Sequence, residues 1–225
     1  MSAPIKAFGN GDPKLTPYAL RLFKPEDSIL AEIRTRSTAA GLPIIHVGAM
    51  DGLHLEVLTR AFGAKKVLEI GTLGGYSGVC IARGLPADGK LISLELHEKN
   101  AAIARESFQK AGVAEKCGVR VGPALDSMEN LSAEGPFDLV FIDADKCNYC
   151  NYFKWAAKNV RIGGAILADN TFAWGLVLQD TFESKEAEEE GTGIKNFNSL
   201  IAETLNFRST ILPTGEGLTL SVRLF

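Results

Sequence analysis

The chain predicts an α/β fold: a doubly wound, mostly parallel seven-stranded sheet between helices, behind an N-terminal helical cap. Three observations carry this expectation. From about residue 65, short apolar runs alternate with helical patterns almost to the end. Runs such as VLEI (67–70) and DLVFI (138–142) are apolar on both faces, as strands buried within a parallel sheet are. The first run breaks into a glycine-rich turn, GTLGG (71–75), which suits a tight passage from strand to crossover helix.

Residues 1–64 carry two or three helical patterns, including 27–40 (DSILAEIRTRSTAA) and 52–62, and read as a cap over a core of 65–225. The first strand, 67–70, leads to a helix over 75–83. LISLE (91–95) is the second strand, followed by a helix over 98–111 that Gly112 closes. A weak third strand covers 119–121 and a strong fourth 138–142, with a helix at 149–158 and a fifth strand, AILA, at 165–168. The acidic run in 179–193 reads as a solvated loop or helix end. Two strands, 207–212 and 218–224, flank PTGEG and form an antiparallel pair.

At 225 residues the chain has the length of one domain, 1–225, with a sizeable core. Its net charge of −3 gives no electrostatic case for nucleic acid or an anionic membrane as partner. No stretch approaches the ~18 apolar residues that span a bilayer. The first residues lack an apolar core of signal-peptide length, and there are four cysteines, so reducing cytoplasm is the expected compartment.

In an open parallel sheet, ligands bind beyond the carboxyl ends of the strands, where the strand order reverses. The glycine turn after the first strand lets backbone approach a ligand, and helix-start amides point outward. A dinucleotide fingerprint needs a second glycine where Leu73 stands, so the turn fits a nucleoside better than a pyrophosphate. A bare strand–helix connection would use the same glycines. Glu95, closing the second strand, can accept both hydroxyls of a ribose. Glu69 lies inside a strand and needs a partner, either a cationic ligand or the amides of the loop.

The segment FIDADKCNYC (141–150) holds two competing chemistries. Asp143 ends the fourth strand, and Asp169 with Asn170 ends the fifth, so the three can converge as an all-oxygen set suited to Mg²⁺, Mn²⁺ or Ca²⁺. Capping of the following helices is the plain alternative for the two aspartates. Cys147 and Cys150 have the C-x-x-C spacing, but no further cysteine or histidine completes a zinc set, and coincidence explains the pair better.

The runs VLEIGTLGGYSGVCIARGLPADGKLISLE, AGVAEKCGVRVGPAL, FDLVFIDADKCNYCNY and GGAILADNTF together resemble the S-adenosylmethionine-dependent, cation-dependent O-methyltransferases of the caffeoyl-CoA and catechol type, bacterial members included. The resemblance covers roughly residues 45–178 and implies a class I methyltransferase fold, Rossmann-like. It implies that Val47, Glu69, Gly71, Thr72 and Ser77 line the S-adenosylmethionine, with Glu95 on the ribose, Ala124 beside the adenine, and Asp145 with Asp143 toward the methionine end. Asp143, Asp169 and Asn170 would ligate a divalent cation, Mg²⁺ foremost. Lys146 would lie beside the reacting hydroxyl, so that Lys146, Asp143 and Asn170 form the catalytic group. A catechol-type acceptor, a homodimer and no nucleic-acid or membrane partner complete what it implies. Two departures stand out: Val47 replaces the family's usual threonine, and Trp174 sits one place later than in most relatives. An NAD-linked oxidoreductase and a non-catalytic cofactor-binding protein are the competing readings.

Overall fold

A computed structural model describes Asp12 and residues 14–225; residues 1–11 and 13 of the expected cap lie outside the described residues. Three helices come first: α1 (Leu15–Phe23), α2 (Ser28–Ala39) and α3 (Ala49–Ala61). Strands and helices then alternate: β1 (Lys66–Ile70), α4 (Tyr76–Gly84), β2 (Lys90–Glu95), α5 (Glu98–Lys110), β3 (Cys117–Val121), α6 (Ala124–Leu131), β4 (Phe137–Ile142), α7 (Tyr149–Asn159) and β5 (Val160–Ala168). Helix α8 (Lys185–Glu203) and strands β6 (Phe207–Leu212) and β7 (Leu218–Arg223) complete the chain.

The seven strands form one sheet in the order β3-β2-β1-β4-β5-β7-β6. Strands β1 to β5 pair in parallel. β7 runs antiparallel to β5 on one side and β6 on the other. Because β1 has β2 on one flank and β4 on the other, the crossovers leave it in opposite directions and open a crevice above its carboxyl end.

Alternation along the strands sorts the core into two layers. Val67, Leu91, Leu139, Phe141 and Leu167 face one side, where Leu30, Ile33, Leu55, Val79 and Phe108 of α2 to α5 cover them. Leu68, Ile70, Val140, Ile142 and Ile166 face the other, under Met128, Phe153 and Phe197 of α6, α7 and α8. Glu69 falls on the first layer, between two apolar neighbours, and is fully buried.

The acidic run takes the second of its two expected forms: it lies at the N-terminal end of a helix, α8, after a short loop. Ser184 caps α8 by accepting the Ala187 amide at 3.1 Å, and Glu186 and Glu188 occupy the first turn, where negative charge favours the helix dipole. Helix α2 begins as the sequence predicts, the Asp27 carboxylate accepting the Leu30 amide at 3.0 Å, whereas α3 begins three residues before the expected 52–62. Helix α6 carries no strong sequence signal and was not expected. Among the described residues no helix is long and apolar enough to cross a membrane.

Candidate active site

The carboxyl ends of the three central strands are stepped together by the sheet itself. The Gly71 amide donates to the Leu94 carbonyl (2.9 Å), the Asp143 amide to the Ile70 carbonyl (2.9 Å), and the Asp169 amide to the Ile142 carbonyl (3.0 Å). Each residue that follows β1, β4 or β5 therefore continues the ladder by one bond and is held beside the next. Gly71 has φ +85°, and a Cβ there would fall 2.0 Å from the Asp143 carbonyl oxygen, so only glycine fits. A cavity of about 1070 Å³ opens above this row, and Val47, Gly71, Thr72, Ser77, Glu95 and Ala124 are on its wall. Asp143, Asp145, Lys146, Asp169 and Asn170 are on it too. That volume is ample for two small molecules side by side.

Glu95 ties the glycine turn to α5. Its carboxylate accepts the Leu73 amide (2.9 Å), the His97 amide (3.1 Å) and the Asn100 side-chain amide (3.0 Å). A carboxylate offers about four acceptor positions, so capacity for a ligand hydroxyl remains. Val47 is held from behind, where Arg34 donates to its carbonyl at 2.8 Å and lies 4.0 Å above the Tyr76 ring centre.

Glu69 departs from its expected place against the ligand. Its side chain is not on the cavity wall; it accepts hydrogen bonds from Ser77 (2.6 Å) and from Ser93, beneath α4. Burial pushes its carboxyl up to about 7, against the opposing pull of the Ser77, Ser93 and Thr72 hydroxyls. Strand periodicity explains the miss: an odd position in β1 points under α4 rather than past the strand end. Serine hydroxyls, rather than the loop amides weighed for it, supply its hydrogen bonds.

At the other end, Lys146 is 7% exposed and donates to Asp143 Oδ1 (3.2 Å) and to the Tyr149 hydroxyl (2.7 Å). Asp169 is 6% exposed and accepts the Asn170 amide at 2.8 Å. Burial first, and the Asp143 charge second, hold the Asp169 carboxyl well above the usual carboxylate range. Neither aspartate caps a helix: α7 opens after Asn148, and the Asp143 side chain is engaged with Lys146. Two carboxylates and an amide oxygen at one strand edge, partly balanced by one lysine, are a hard, all-oxygen donor set short of positive charge. They fit a divalent cation such as Mg²⁺. No group of three His, Cys, Asp or Glu side chains with metal-binding geometry exists among the described residues, so the amide of Asn170 is needed to complete a set.

Cys147 and Cys150 are free thiols. Burial and the neighbouring Asp145 carboxylate push the Cys147 thiol up, and burial does the same at Cys150, so neither is activated for redox chemistry. Asp145 instead collects donors, accepting from Tyr152, Asn148 and the Cys147 thiol.

The outer wall joins Asn170 and Trp174, both noted in the sequence, to Asp51, Glu190 and Glu216, which the sequence did not single out. Between positions 170 and 174, Asn170, Ala173 and Trp174 all have positive φ, and such backbone strain collects at functional sites. The β6–β7 turn holds this loop: the Phe172 amide donates to the Glu216 carbonyl (2.8 Å) and the Trp174 amide to the Glu216 carboxylate (2.8 Å). Trp174, Glu216, Glu190 of α8 and Asp51 of α3 all border the cavity. They come from four separated segments, and no local motif links them.

This architecture has known counterparts. The sequence model of the O-methyltransferase family matches residues 22–224. The catechol O-methyltransferase of Mycobacterium tuberculosis is 47% identical over 156 residues, 69% of this chain and 70% of its own. Caffeoyl-CoA O-methyltransferase 1 of Eucalyptus globulus is 33% identical over 208 residues, 90% of this chain and 85% of its own. Among solved structures, an O-methyltransferase of Bacillus cereus in complex with SAH superposes with a TM-score of 0.86 at 38% identity, covering 93% of this chain and 97% of that one. The parallel sheet with its antiparallel last strands, the cleft above β1 and these matches along nearly the whole length place the chain in the O-methyltransferase family.

Proposed function

We propose that this protein moves the methyl group of S-adenosylmethionine onto one hydroxyl of a vicinal dihydroxy aromatic acceptor, with a divalent cation held by Asp143, Asp169 and Asn170. The observation that carries this reading is the stepped row of Gly71, Asp143 and Asp169 beneath a single cavity. Gly71, Thr72, Ser77 and Val47 border the nucleoside and methionine end, Glu95 accepts from the ribose, Ala124 lies at the adenine, and Asp145 faces the methionine ammonium. Glu69 serves that end indirectly, by holding Ser77.

The acceptor oxygen attacks the sulfonium methyl, an O–C bond forms as the C–S bond breaks, and S-adenosylhomocysteine leaves. A divalent cation, when bound, lowers the pKa of the acceptor hydroxyls. Lys146 stands within the same site to receive the hydroxyl proton or to stabilise the oxyanion. Holding both reactants in one cavity accounts for roughly 7–11 kcal/mol of barrier lowering in well-oriented systems.

Charge narrows the acceptor. Among the described residues eight carboxylates line the cavity against one lysine, and Asp51, Asp126, Glu190 and Glu216 are the ones left over by the roles above. A polyanionic acyl-CoA thioester is repelled by such a mouth, whereas a neutral or cationic catechol is not. We also infer a homodimer, since α1 buries none of its own residues and leaves Tyr18 52%, Leu22 54% and Phe23 64% exposed; sedimentation at micromolar concentration tests it.

The function is tested with methyl-labelled S-adenosylmethionine, Mg²⁺ and a panel of neutral, cationic and anionic catechols, read by mass. Neutral and cationic catechols gain one methyl and caffeoyl-CoA reacts least. Absence of labelled product from every catechol would refute the assignment.

A further inference from the structure

Among the described residues Lys146 is the one lysine on the cavity wall, and a neighbour with no role so far fixes its ammonium. Tyr149 is fully buried at the start of α7, its ring edge-on to Phe197 of α8 with centroids 5.4 Å apart. Its hydroxyl donates to the Ile142 carbonyl at 3.4 Å, which leaves the oxygen free to accept from Lys146 Nζ at 2.7 Å. Asp143 Oδ1 accepts from the same nitrogen at 3.2 Å. The backbone beneath is fixed as well: α8 passes so close that a Cβ on Gly193 would fall 2.6 Å from the Lys146 carbonyl oxygen.

We propose that Tyr149 is a positioning residue for methyl transfer: with Asp143, its hydroxyl takes two of the three free tetrahedral positions at Lys146 Nζ and aims the third at the acceptor hydroxyl. The direction is the same in either protonation state. A charged Nζ presents a proton to the developing phenolate, and a neutral one presents its lone pair to the hydroxyl proton. Without Tyr149 the four-carbon stem regains rotamer freedom that one contact to Asp143 does not remove. The residue is legible only in three dimensions. In sequence it is one more aromatic opening an amphipathic helix. This inference rests on the function proposed above.

The test is Tyr149→Phe, which keeps the ring and its packing and removes one oxygen. Losing a hydrogen bond to a charged group predicts a kcat for catechol lower by roughly 10- to 100-fold. KM for S-adenosylmethionine and its calorimetric Kd stay within about twofold, because the cofactor end is untouched. Lys146→Ala loses roughly 10²- to 10⁴-fold, the range of a positioned proton-transfer group. The double variant is no slower than Lys146→Ala alone, since Tyr149 acts through that lysine. In ¹H–¹⁵N spectra the Lys146 ammonium signal, sharp in the parent, broadens in Tyr149→Phe. A parental kcat in Tyr149→Phe overturns the proposal, as do losses that multiply in the double variant. If Tyr149→Phe shows no cooperative melt, 3-fluorotyrosine at the same position keeps the hydroxyl and weakens it as an acceptor. An unchanged kcat in that protein overturns the proposal equally. Failure of the parent to methylate any catechol is seen before any variant is made, and marks failure of the function instead.

Discussion

Replacing Glu69 with glutamine changes how stability responds to pH, and the sign follows from burial. The folded carboxyl is held at about 7, against 4.5 in the open chain. Below pH 4.5 both states carry the proton. Between 4.5 and about 7 the unfolded chain releases it while the folded chain retains it, so stability falls as pH rises through that window. At ~1.4 kcal/mol per pH unit, the interval corresponds to about 3 kcal/mol, fully lost above pH 7. Glutamine has the same shape and can still bond Ser77 and Ser93, but it never ionises. Urea unfolding of both proteins at pH 4.5, 6 and 8, without cofactor or metal, gives the difference between them. That difference moves by about 3 kcal/mol in favour of the variant as pH rises, while the slope contributed by Asp169 cancels. A difference constant to within ~0.5 kcal/mol would mean that Glu69 titrates normally in the fold, and the reasoning would fail.

Gly71→Ala puts a Cβ 2.0 Å from the Asp143 carbonyl at φ +85°, so it costs about 3 kcal/mol in thermal or urea unfolding and weakens S-adenosylmethionine binding in calorimetry. Gly193→Ala is a test of sign. Propensity alone would make alanine stabilise α8 by about 1 kcal/mol, yet contact with the Lys146 carbonyl predicts a net loss of about 1–2 kcal/mol and a lower kcat. Glu190→Lys, at the cavity mouth, raises kcat/KM for 3,4-dihydroxycinnamate relative to catechol by about tenfold at low salt, an advantage that shrinks as salt is added.

Much of the fold was legible because its signals are local. The β1 and β4 runs are apolar on both faces, and the strand ends are marked by Gly71 and Asp143, so strand positions and the cleft followed from pattern alone. Helix α8 was not fully legible, because Gly191 and Gly193 argue against a helix until the tertiary reason for them is visible: α8 runs against Phe182 and against the Lys146 backbone. The same divide holds at the site. The aspartates, Asn170 and Lys146 sit at strand ends, where sequence position fixes spatial position. Tyr149, Glu190 and Glu216 reach the cavity, or the lysine in it, only through packing of α7, α8 and the β6–β7 turn. Glu69 was seen as needing a partner, but the serine hydroxyls that bond it were not legible, since strand alternation turns it under α4.

The most direct measurement is methyl transfer to catechol by enzyme stripped with EDTA, assayed before and after Mg²⁺ is returned, beside the Asp169→Ala variant. Oxygen ligation at the ends of β4 and β5 predicts no product from the stripped protein, recovery on adding Mg²⁺, and none from the variant at any Mg²⁺ level. Undiminished turnover by the stripped parent, or by Asp169→Ala, would contradict it.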